Sequence, residues 1–103
     1  MTAGEEMTDA VEHVLANPSK QTLVYSGMEY GFIEESRKQQ MKACQTLRDK
    51  GWRIHACAFS MLHYEADFLI RATLHATDAE EQYHQKEYDE WKTYKERYGR
   101  IFE

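Results

Sequence analysis

Residues 52–77 read WRIHACAFSMLHYEADFLIRATLHAT, and the fold turns on how this stretch is paired. It alternates residue by residue in two runs, a period of two that marks strands with two different faces. One set is apolar: Trp52, Ile54, Ala56 and Ala58, then Phe68, Ile70, Ala72 and Leu74. The other holds Arg53, His55, Cys57 and Phe59, then Asp67, Leu69, Arg71, Thr73 and His75. With a turn near residues 62–65, facing positions sum to about 127, and the true sum is either even or odd. An even sum keeps the two sets apart, whereas an odd sum mixes them. Burial of the apolar set favours the even one. The sequence therefore predicts a hairpin whose second face gathers Arg53, His55, Cys57, Arg71, Thr73 and His75. No Asn-Gly or Asp-Gly marks the turn. The competing reading makes residues 60–76 helical, with Leu62, Ala66, Leu69, Ile70 and Thr73 as its stripe. The length of the alternation in DFLIRATLHAT favours strands.

Outward from this hairpin, residues 32–50 read as a helix with Ile33, Met41, Cys44 and Leu47 inward. Gly51 stands where a left-handed C-terminal cap is wanted. A short strand is expected over residues 21–26, followed by a loop, Gly27-Met28-Glu29-Tyr30-Gly31. Residues 4–16 form an acidic N-terminal helix with Met7, Ala10, Val11, Val14 and Leu15 in one stripe. Asn17-Pro18 ends it, because the residue before proline is pushed out of the helical region. Thr77 with Glu80, or Asp78 with Glu81, has capping-box spacing and opens an aromatic-rich C-terminal helix over residues 78–98. In that helix Trp91, Tyr94, Tyr98, Ile101 and Phe102 follow one stripe with Tyr88 at its edge, so at least one of Tyr83 and Tyr88 should be exposed. The expected order is α-β-α-β-β-α. The expected architecture is a single α+β domain spanning residues 1–103, a small three-stranded sheet with helices packed on one face.

Composition narrows function by exclusion. The chain has 103 residues, 18 acids and 13 bases, for a formal charge of −5. That balance disfavours nucleic acid as a partner, since such affinity comes from neutralising phosphates. No apolar run approaches the ~18 residues of a membrane span. The acidic start lacks the features of a signal peptide. These point to a cytoplasmic protein with Cys44 and Cys57 as free thiols. Glu5, Glu6, Asp9 and Glu12 lie in a nineteen-residue opening segment without a single Lys or Arg.

No motif specifies chemistry. His55, Cys57 and His75 could meet a zinc ion, but no CxxC or HxxxH context accompanies them, and neither a metal nor a cofactor is expected. Gly27-Met28-Glu29-Tyr30-Gly31 before a helix lacks GxGxxG and the Walker lysine. The expected function is that of a regulatory or inhibitory protein acting by protein–protein binding, as a homo-oligomer, in the manner of small inhibitors that bacteriophages direct at host factors. Tyr83, Tyr88, Trp91, Tyr94 and Tyr98 are its interface candidates, because Tyr and Trp dominate binding hot spots. The alternative is a binder of a small anionic ligand or nucleotide on the His/Arg face. A third reading is an enzyme built on Cys57 and a nearby His.

Overall fold

The computed structural model describes residues 1–19 and 21–102 and shows an α+β protein with three helices on a four-stranded antiparallel sheet. The elements in chain order are α1 (Ala3–Ala16), β1 (Thr22–Glu29), α2 (Ile33–Asp49), β2 (Arg53–Leu62), β3 (Glu65–Thr73), α3 (Asp78–Tyr98) and β4 (Arg100–Phe102). The sheet order is β1-β3-β2-β4. The expected sheet of three strands is thus one short. β4 is only three residues long, below what a period-two pattern can reveal.

The long stretch is a hairpin and not a helix. Leu62 pairs with Glu65, leaving His63 and Tyr64 as a two-residue turn. His63 takes a positive φ of 57°. Hairpin turns usually place Gly or Asn at such positions, and His is among the side chains that tolerate them. Neither His63 nor Tyr64 is a residue type that marks a turn in the sequence.

The even register is correct only at one end of this hairpin. Arg53 faces Thr73 and Ile54 faces Ala72, in the even register. Then a bulge inserts His55, and from Ala56–Arg71 to Leu62–Glu65 the register is odd. Because side chains alternate with a period of two, one extra residue moves every later side chain to the other face. Ile54 therefore shares a face with Cys57, Phe59 and Met61, while Ala56, Ala58 and Ser60 turn to the other side with Leu69 and Asp67. The two alternating sets are mixed, as the burial argument had disfavoured. Both faces are covered, so burial imposes no single apolar side.

The helices correspondingly divide. α1 and α2 pack on one face, in a core of Met7, Val11, Val14, Leu23, Cys44, Leu47, Trp52, Phe68 and Ile70. α3 packs on the other, over Ala56, Ala58 and Leu69 with Tyr88 and Trp91. The expectation of helices on one face only is corrected by this second layer.

Local signals explain most boundaries. Thr2 caps α1 by accepting from the Glu5 amide at 3.1 Å, and Thr77 caps α3 by accepting from the Glu80 amide at 3.2 Å. α1 stops at Ala16, immediately before Asn17-Pro18. α1 crosses α2 closely where Gly4 lies against Ser36. The Gly4 amide donates to Ser36 Oγ at 3.0 Å, and a Cβ at Gly4 would sit 2.9 Å from the Ser36 Cα. Gly51, at φ 86°, reverses the chain between α2 and β2.

β1 runs three residues beyond its expected end. Gly27, Met28 and Glu29 pair with Phe68, Asp67 and Ala66 and do not form a loop. β1 and β2 both run antiparallel to β3, which separates them, so they are not neighbours in the sheet.

In α2 the inward stripe is Ser36, Gln40, Ala43, Cys44 and Leu47, whereas Met41, expected inward, is exposed. Gln40 is fully buried and satisfied: its Nε2 donates to the carbonyls of Ala58 (3.0 Å) and Leu69 (3.1 Å). Cys44 and Cys57 are joined as a disulfide, with Cα atoms 6.9 Å apart, and are not two free thiols. The bulge is the reason. It turns Cys57 to the α2 side of the sheet, opposite Cys44.

Candidate functional site

Four of the six residues assigned to the His/Arg face come together. Arg53, His55, Arg71 and Thr73 lie on the side of the sheet that α3 covers. Cys57 lies on the opposite side in its disulfide, and His75 stands past the end of β3, exposed and at a positive φ of 58°. No pair of Cys57 with His55 or His75 is assembled. Among the described residues no group of three or more His, Cys, Asp or Glu has the disposition of a metal site.

α3 meets this face with polar groups. Its inward row is Glu81, His84, Tyr88, Trp91 and Lys95, alternating steps of three and four that keep one helical face. Glu81 pairs with Arg53 at 2.5 Å, Glu87 pairs with Arg71, and Lys95 pairs with Asp67. The ring of His84 stacks on that of His55, with centroids 4.6 Å apart, and His55 Nε2 shares a 2.6 Å hydrogen bond with Thr73 Oγ1. The small side chains of Ala56 and Ala58 leave room for Tyr88 and Trp91, whose rings stack at 6.2 Å. Two buried polar atoms of α3 have no partner among the described residues, His84 Nδ1 and the Tyr88 hydroxyl.

The electrostatics follow from this layering. Burial first, then the adjacent His84 ring, hold the His55 imidazole below the usual histidine range. Arg53 acts in the same direction, while Glu81 and Glu80 oppose it. Burial likewise lowers the Lys95 ammonium, with Glu65 opposing. Arg53 and Arg71 each already have a carboxylate partner.

The aromatic residues of α3 divide differently from the expected stripe. Tyr88 is buried and Trp91 half-buried, while Tyr83, Tyr94 and Tyr98 are exposed. The expectation that one of Tyr83 and Tyr88 is exposed holds for Tyr83. The expected Trp91–Tyr94–Tyr98 stripe is replaced by the His84–Tyr88–Trp91–Lys95 row; Ile101 is half-buried in β4, and the side chain of Phe102 lies outside the described residues. Sequence reasoning missed Glu81, His84, Glu87 and Lys95 because it searched for apolar periodicity. The same 3–4 spacing, read on polar residues, would have revealed the row.

α3 does not reach β1. The outward side chains of β1 (Thr22, Val24, Ser26 and Met28) are all exposed, Val24 by 49% and Met28 by 48%. They continue into exposed Tyr30 and Phe32. β1 is also an edge strand, so its outer row of backbone groups pairs with no strand among the described residues. Glu29 closes its far end. On the α1 side, the Tyr25 hydroxyl donates to Ala3 O at 3.2 Å and lies 3.1 Å from Glu6 Oε2. Burial and then Glu6 push that hydroxyl well above the usual tyrosine range.

The fold and site together define the chain as an α+β protein with helices on both faces of an antiparallel sheet, one edge of which is open. No known protein family, curated protein or solved structure matches it. Among the described residues no helix is long and apolar enough to cross a membrane.

Proposed function

We propose that the protein acts by binding another protein, as a regulatory or inhibitory factor, and that an extended basic segment of the partner adds to β1. The open edge of β1 carries this reading. Natural sheets blunt their edges with lysine, proline, bulges or a covering element. The β2 edge has a bulge at His55 and β4 across residues 59–61. β1 has neither, and residues 22–28 (TLVYSGM) contain no charge and no proline. An added strand would gain main-chain hydrogen bonds, with Val24, Met28, Tyr30 and Phe32 offering apolar contacts beside it. Tyr83, Tyr94 and Tyr98, exposed on α3, are further contact candidates.

Charge selects the partner. Glu6 beside Tyr25, Glu29 at the strand end, and exposed Glu5, Asp9 and Glu12 on α1 make this side acidic. A second copy, the homo-oligomer of the sequence reading, would bring two acidic α1 helices together, so a basic partner fits better. The alternative of a small anion bound by Arg53 and Arg71 is disfavoured by their pairing with Glu81 and Glu87. The Cys44–Cys57 bridge weighs against a reducing compartment, where two free thiols are expected.

The test is amide NMR with two synthetic extended peptides, one alternating Lys and Val, the other Glu and Val. The basic peptide should give saturable shifts and slowed amide exchange across β1, the acidic one should not, and Val24→Lys should abolish the effect. No response along β1, or equal response to both peptides, would overturn the proposal. A native mass of two chains that Val24→Lys returns to one would give the edge to a second copy instead.

A further inference from the structure

α3 is the least buried of the three helices. Of its 21 residues only His84 and Tyr88 are buried, whereas the shorter α1 buries Ala3, Gly4, Met7, Val11 and Val14. Beyond those two, α3 holds the sheet through half-buried Trp91 and through its pairs with Arg53, Arg71 and Asp67. α2, in contrast, is tied to β2 by the Cys44–Cys57 disulfide and by Gln40, which donates to the Ala58 carbonyl.

In the N-terminal half of the α3 contact two imidazoles meet. The ring of His84, 4% exposed, stacks on that of His55 with centroids 4.6 Å apart and planes 18° apart. Its Nδ1 is buried with no hydrogen-bond partner among the described residues. The stack suits two neutral rings, whichever nitrogens carry the protons. A positive charge on either ring would face the other with little water between them. Around the pair stand Arg53 on β2, Arg71 and the Thr73 hydroxyl on β3, and Glu80, Glu81, Tyr83, Glu87 and Tyr88 on α3. Arg48 of α2 lines a cleft that His55 also borders. Burial and then His84 outweigh Glu81 and Glu80, so His55 is held below the usual histidine range.

We propose that α3 is an acid-released cover, freed from the sheet by protonation at the His55–His84 stack while the α1 and α2 layer stays in place. Once α3 is free, His55 is solvated and takes its ordinary value near 6.5. Release therefore takes up a proton and is increasingly favoured as pH falls below that value. It bares Ala56, Ala58 and Leu69, which α3 otherwise covers. Across the strand pair Ser26 faces Leu69 and Val24 faces Arg71, so the bared patch runs on into the exposed outer side of β1. Acid thus enlarges the sheet face open to a partner. The release itself is independent of what binds at β1.

Native-state amide exchange by NMR, corrected for the intrinsic rate at each pH, tests the proposal. Between pH 7.5 and pH 5.5, protection over residues 80–96 should fall by up to about tenfold per pH unit, the limit for one proton taken up. Protection at Cys44, Leu47, Phe68 and Ile70 should hold. The two tryptophans report separately, since Trp52 belongs to the α1–α2 core and Trp91 to the α3 layer. The Trp91 indole signal should move towards that of a solvated ring, and the Trp52 signal should not. His55→Gln and His84→Gln should each flatten the pH dependence, and His55, only half-buried, is the position where the fold survives the change more readily. Equal loss of protection in α3 and β3, unchanged protection between the two pH values, or the same fall in every variant that folds would overturn the proposal.

Discussion

The two faces of the sheet are held by different physics. Against α1 and α2 the sheet buries Phe68 and Ile70 in one apolar cluster with Met7, Val11, Leu47 and Trp52. Against α3 it buries Ala56, Ala58 and Leu69, and the rest of the contact consists of ion pairs and a stack of two imidazoles. Apolar burial is indifferent to pH and nearly so to salt, whereas ion pairs and a desolvated histidine respond to both. The molecule therefore has one insensitive face and one that solution conditions can loosen.

The sharpest way to break this contrast is at Phe68, which is fully buried on the apolar face. Phe68→Ala should cost about 3–5 kcal/mol in chemical denaturation, the range for emptying a large aromatic site. A loss confined to α3 would show that the apolar face is not the main support.

Smaller effects are expected across the α3 face. Arg71 and Glu87 are both largely shielded from solvent. A double-mutant cycle with Arg71→Ala and Glu87→Ala should give a coupling of about 1–2 kcal/mol, above that of an exposed pair and short of a fully buried one. The coupling should shrink as salt is added. In native-state hydrogen exchange, α3 amides should open before those of β3. Simultaneous opening of both would mean that the faces are not separable.

The smallest and most diagnostic effect is at His55. Its folded pKa is lowered, by burial and then by His84, so the unfolded chain takes up the proton first. The stability contributed by neutral His55 is fully present above the ordinary histidine value near 6.5 and is lost as pH falls below it towards the lowered folded value. Denaturation at pH 7.5 and at pH 5.5 should therefore show a loss at the lower pH that His55→Gln reduces. The groups facing His55 are Arg53, His84, Glu80, Glu81 and the Thr73 hydroxyl. An identical pH dependence in the variant would remove His55 from the account.

Much of this contrast is legible before folding, and its decisive step is not. Pro18, Gly51 and Thr77 announce the helix boundaries through local backbone preferences, and the alternation of residues 52–77 announces the hairpin. The gathering of Arg53, His55, Arg71 and Thr73 is also readable, since they alternate on their own strands. Cys57 is lost from that group, and Ala56 and Ala58 leave the apolar set, because a single inserted residue reverses the phase of β2. No local preference marks a bulge at histidine. Met41 and Tyr94 are exposed although apolar character points them inward, while Gln40 and His84 occupy buried positions and Lys95 a half-buried one, with Gln40 donating to the Ala58 and Leu69 carbonyls and Lys95 paired with Asp67.

Sequence alone therefore determined the three helices, the first three strands with the hairpin, and the acidic character of the first helix, all of which depend on neighbours along the chain. Tertiary structure decided which face each residue of β2 occupies, that Cys44 meets Cys57, that α3 lies on a face of its own, and that β1 is left open. Those outcomes depend on strand register and on how two helical layers share one sheet, and contacts between distant residues set both.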